Sequence, residues 1–144
     1  MIWPAQVLVI AQESKGREKL ERILQTSISH VFCYTTLLEA QSFLSGHDVD
    51  AIFAELQMPD GDFQDLSKEV EHFQPGVPIV ALGRPLDLDS NASTAAFGAF
   101  NFLPLPASVP EIKRIIWSAL DASFTRFRPL PVATEEEESI ISRG

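Results

Sequence analysis

The sequence predicts an α/β domain: a doubly wound sheet of five parallel strands in the order 2-1-3-4-5, with helices on both faces. Three observations lead there. Short continuous apolar runs, of the kind buried on both faces, alternate with amphipathic stretches at helical spacing. The alternation occurs five times, which calls for parallel strands joined by right-handed crossovers. The chain has 144 residues, the length of one ordinary domain.

Each element has its own signal. Val7, Leu8, Val9 and Ile10 form the first apolar run and the first strand. Residues 14–26 follow as a helix with Leu20, Ile23 and Leu24 on one face and Ser14 as its N-cap. Residues 30–35, rich in β-branched and aromatic side chains, read as the second strand and include Cys33. Residues 38–45 form a short helix that stops at Gly46. Ala51, Ile52, Phe53 and Ala54 are the third strand, ended by turn chemistry at Met58, Pro59, Asp60 and Gly61. Phe63, Leu66, Val70 and Phe73 stripe the next helix, which breaks at Pro75 and Gly76. Residues 77–82 are the fourth strand, with Pro78 near its start, where a strand tolerates proline. Residues 85–91 read as loop, 92–97 as an Ala-rich helix and 100–103 as the fifth strand. In the last helix, 110–127, Ile112, Ile115, Ile116, Ala119 and Leu120 keep helical spacing. The domain is therefore expected over 1–127. Residues 128–144, with Glu at 135–138, read as an acidic tail or a linker.

Composition narrows the function classes. Eleven Lys and Arg against twenty Asp and Glu give a net charge of −9, which repels phosphate backbones and anionic lipid. Direct nucleic-acid binding is not expected, and no apolar run approaches the ~20 residues of a membrane span. The first residues lack the basic segment of a secretory signal, so a cytoplasmic location is expected. Cys33 is the only cysteine, which excludes a disulfide framework, and it reads as a small buried hydrophobe. His30, His47 and His72 stand at no metal-ligand spacing. No Gly-rich phosphate loop follows the first strand, which argues against a nucleotide binder.

Ligands of such sheets sit at the carboxyl ends of the strands, so the residues there carry the function. Asp50 is followed by four mostly apolar residues, Glu55, two residues, and then Met58-Pro59. The segment 77–82 precedes Gly83, and Gly98-Ala99 leads through Phe102 to Leu105-Pro106. In order and on these strands, the segments resemble a response-regulator receiver domain, the flavodoxin-like signalling module of two-component systems, over residues 5–127. The resemblance implies a Mg²⁺ held by acidic groups at the first and third strands and an acceptor Asp on the third. It also implies a Ser or Thr on the fourth strand, and a Lys, an aromatic switch residue and a cis proline near the fifth.

By that resemblance this chain departs from the pattern at its chemical positions. The two acidic positions map onto Ala11 and Gln12, with Glu13 one residue beyond and solvent-facing. The acceptor position is Glu55, the hydroxyl position Gly83 and the lysine position Leu105. Phe102 keeps the aromatic switch position, and Leu105-Pro106 is expected to be cis. Glu55 admits three readings: a phosphomimetic locked on, a residual weak metal or phosphoryl site, or a relic held by backbone hydrogen bonds. Leu105 either fills the pocket with apolar surface or points outward.

The expectation is a non-enzymatic pseudo-receiver, independent of phosphorylation, with no catalytic residues and with Mg²⁺ binding weak or absent. It would act by contact with proteins, such as a kinase or an output protein, or by homodimerising through residues 92–127. The positive charges of the last helix and its end (Lys113, Arg114, Arg126 and Arg128) read as a solvated face or, alternatively, a docking patch, and Trp117 as packing or, if exposed, an interface anchor. The alternative is a divergent but working phospho-acceptor receiver.

Overall fold

Apolar runs that are buried on both faces need a layer of helix on each side, and that is the arrangement found. The computed structural model describes residues 3–84 and 98–127. The expected helix at 92–97 and the acidic tail from 128 onward lie outside the described residues.

The chain runs β1 (Trp3–Ile10), α1 (Lys15–Ser27), β2 (Ile28–Tyr34), α2 (Leu37–Gly46), β3 (Ala51–Glu55), β4 (Gln57–Met58), β5 (Gly61–Asp62), α3 (Phe63–Phe73), β6 (Ile79–Gly83), β7 (Asn101–Pro104) and α4 (Val109–Phe127). Five strands pair in parallel in the order β2-β1-β3-β6-β7, which is the order 2-1-3-4-5 once the hairpin β4–β5 is set aside. The turn expected at Met58–Gly61 is the tip of that antiparallel hairpin. The first strand begins earlier than its apolar run, because Trp3 already pairs with Ile28.

Alternation along the strands divides the interior in two. Val7, Val9, Phe53, Val80, Leu82 and Leu103 face α1 and α4. Leu8, Ile10, Ile52, Ala54, Ile79 and Ala81 face α2 and α3. Val7 to Ile10 have no exposed surface at all, which is why their sequence shows no polar alternation.

The helices start where side chains satisfy their free amides. Ser14 accepts the Arg17 N–H at the start of α1. Thr36 and Glu39 form a reciprocal capping box on α2, and Asp62 and Asp65 form one on α3. In the α2 box, hydrogen bonds from the Thr35 backbone and the Thr36 side chain hold the Glu39 carboxyl below the usual carboxylate range. Among the described residues no helix is long and apolar enough to cross a membrane.

Candidate functional site

The carboxyl ends of β1, β3, β6 and β7 meet under the N-terminus of α1. Ala11 follows β1 and is buried, and its N–H donates to the Tyr34 carbonyl at 3.0 Å. Its own carbonyl accepts a hydrogen bond from Arg17 Nη1. Arg17 Nε lies 3.3 Å from Glu21 Oε1.

Gln12 joins three strand ends. Its backbone N–H donates to Glu55 Oε1 at 2.9 Å, and its side-chain Nε2 donates to the Thr35 carbonyl at 2.9 Å. Glu55, half-buried at the end of β3, stands opposite Leu82 in the parallel register. Among the described residues its second carboxylate oxygen has no hydrogen-bond partner. Glu13 is exposed.

Gly83 ends β6, and its carbonyl accepts the Leu105 N–H at 2.6 Å. The Leu105-Pro106 peptide bond is cis. The Leu105 side chain turns inward and packs against the core beneath α1 and α4. It lies so close to α1 that a Cβ on Gly16 would sit 3.3 Å from Leu105 Cβ, so the approach favours glycine there. Phe102 is half-buried and packs against the opposite core, beneath α2 and α3.

Of these residues, Gly16, Glu55, Gly83, Leu105 and Pro106 border a cleft of about 750 Å³, whereas Ala11, Gln12 and Phe102 are not part of its lining. Leu56, Leu82, Leu105 and Pro106 supply apolar wall, and Glu55 the carboxylate. Lys15 and Arg84 reach it from exposed positions.

Two neighbouring contacts leave little trace in the sequence. Asp60, at the hairpin tip, accepts the N–H groups of Leu37 at 2.7 Å and Leu38 at 3.0 Å, capping α2 from across the fold. Those two bonds hold its carboxyl below the usual range. Lys19 Nζ donates to the Ala107 carbonyl at 2.7 Å and ties α1 to the loop after Pro106. Cys33 is half-buried, and burial, followed by the Glu21 carboxylate, pushes its thiol up to about 12.

The family model described as "Response regulator receiver domain" matches residues 7–116. The chain belongs to the response regulator receiver domain family.

This receiver is 26% identical over 114 residues to the DNA-binding transcriptional regulator NtrC of Escherichia coli K12, covering 79% of this chain and 24% of that protein. It is 27% identical over 144 residues to the E. coli K12 transcriptional regulatory protein GlrR, covering 98% of this chain and 31% of that one. The chain thus spans about a quarter to a third of the length of these relatives. Among solved structures, the receiver domain of the sensor histidine kinase PA1611 from Pseudomonas aeruginosa PAO1, with magnesium in its active-site cleft, superimposes with a TM-score of 0.71 at 19% identity. That likeness covers 83% of this chain and 99% of the other. The signal receiver domain of an HD domain-containing protein from Pseudomonas fluorescens Pf-5 gives a TM-score of 0.75 at 16% identity, covering 90% of this chain and 97% of that one. At these identities the structural likeness speaks for the fold.

Proposed function

We propose that this receiver is a phosphorylation-independent signalling module that works by binding other proteins. One observation carries the reading: the carboxylate at the acceptor position, Glu55, already takes a backbone N–H from Gln12, whose own side chain is spent on Thr35. Mg²⁺ is octahedral, keeps several waters and is usually held by one or two carboxylates with phosphate oxygens beside them. Here Ala11 offers no side-chain donor, the Gln12 amide points to another strand, and Glu55 keeps a single free oxygen. Among the described residues no three His, Cys, Asp or Glu side chains gather to hold a metal. This donor set does not fit Mg²⁺.

The readout side points the same way. Gly83 has no hydroxyl to bond a phosphoryl oxygen, and Leu105 has no charge and packs into the core. Of the three readings of Glu55, the geometry favours the relic held by backbone. A residual phosphoryl site would lack the charge of the lysine position, where Leu105 stands, and would have only Lys15 and Arg84, both at exposed positions, for counter-charge. A phosphomimetic would need a partner on β6 that Gly83 does not supply. A Glu55→Gln variant with unchanged partner binding disposes of the mimic.

The test is an amide NMR titration with Mg²⁺, then with beryllofluoride, a stand-in for the phosphoryl group. The expected result is no saturable shift at Glu55, Gly83 or Phe102. Saturable shifts there would make this a working phospho-acceptor with unfamiliar ligands.

A further inference from the structure

A cleft of about 750 Å³ falls within the size range of pockets that bury small organic ligands. Leu56, Leu82, Leu105 and Pro106 form apolar wall, the polar side chains of Ser14, Lys15, Gln57 and Arg84 border it from exposed positions, and one charged group of the lining is half-buried. That group is the half-buried Glu55 carboxylate, with one oxygen on the Gln12 N–H and the other without a partner among the described residues. A charged acceptor left half-satisfied beside apolar surface gains most from a donor that arrives with apolar surface of its own. Lys15 and Arg84 also border the cleft, but both are exposed. Water and salt screen charges in that position far more than a half-buried one. The carboxylate therefore sets the preference.

We propose that the cleft is a binding site for a small molecule with an apolar body and a primary ammonium or amidinium head. The head donates to the free oxygen of Glu55, and the body lies on Leu56, Leu105 and Pro106. The inference rests on the reading that the cleft is not a phosphoryl site, since Leu105 both removes that chemistry and makes the wall apolar.

Phenethylamine and 3-phenylpropionate are the probes, matched in apolar body and opposite in charge, titrated into the full chain by amide NMR. The amine is expected to move Glu55, Leu56 and Gly83 saturably, and the acid to bind at least roughly tenfold more weakly. Glu55→Gln replaces the free carboxylate oxygen with an amide that itself donates, and is expected to weaken the amine roughly tenfold or more. Leu105→Lys brings a cation into the cleft and is expected to do the same; if it fails to fold by circular dichroism, Glu55→Gln alone decides. No saturable shift, an acid that binds as well as the amine, or unchanged amine binding by Glu55→Gln overturns the proposal. Wild-type titration with Mg²⁺ and beryllofluoride separates the two readings. Shifts there overturn the phosphorylation-independent reading, whereas failure of the amine alone overturns only this one.

Discussion

The peptide unit between Ala11 and Gln12 is bonded at both ends by charged side chains of opposite sign. Its carbonyl accepts from Arg17, and its N–H donates to Glu55. Each bond polarises the group that makes the other, so the pair should be worth more than its parts. Glu55→Ala is expected to cost about 1 kcal/mol of stability in urea unfolding, and Glu55→Gln less, because an oxygen remains to accept the Gln12 N–H. The sharper measurement is the double-mutant cycle of Arg17→Ala with Glu55→Ala. A coupling of about 0.5 kcal/mol or more is expected; simple additivity would show that the two bonds are independent. Cys33 makes a second prediction at this scale. With its thiol pushed up to about 12, almost no thiolate exists at pH 8, so reaction with an aromatic disulfide should be slow until urea unfolds the chain. Rapid labelling of the native protein would contradict the burial that raises it. These roles were not legible in the sequence. Ala11, Gln12, Gly83 and Leu105 could be seen as departures from a pattern, but the backbone atoms they bond belong to other strands.

At the scale of elements the sequence was far more legible, because burial on both faces writes a strand as an unbroken apolar run. Val7 to Ile10 and Ala51 to Ala54 are such runs, and both are central strands. The Ser14 cap was readable because its partner, Arg17, is local. The Asp60 cap was not, because Leu37 and Leu38 lie more than twenty residues earlier in the chain. A turn aspartate has a sufficient local explanation, which hides the distant one. The consequence can be tested by pH. The Leu37 and Leu38 amides lower the Asp60 pKa on folding, so its stabilisation is present above the unfolded pKa. It is lost as pH falls through the lower folded value. Asp60→Asn should therefore melt below the wild type at neutral pH, and the gap should narrow below about pH 4, where the free carboxyl titrates. A gap that holds constant down to pH 2 would mean that the charge of Asp60 adds nothing to the cap.

For the whole molecule the question is which surface remains for a partner. Ile112, Ile115 and Ile116 of α4 all turn into the core and offer nothing to a partner. What α4 leaves outside is Trp117, 41% exposed and tilted against Trp3 at a ring separation of 4.7 Å, and Phe124, 59% exposed. Phe100, 42% exposed, precedes β7. Aromatic side chains in water are the usual anchors of a protein interface, and these fall within the 92–127 segment proposed to pair two copies. Pairing brings together two chains of net charge −9, whose repulsion weakens as salt shortens the Debye length. A dimer held by this face should therefore tighten with salt, the opposite of one held by ion pairs. Light scattering at high micromolar protein is expected to give a mass rising from 15.9 kDa toward twice that value, more completely at 0.5 M salt than at 0.05 M. Phe124→Glu, a change on the exposed face, should return the chain to monomer at both. A wild-type monomer at both salts would exclude the homodimer and leave the aromatic face for a different protein. Dimerisation that persists in Phe124→Glu would move the interface elsewhere.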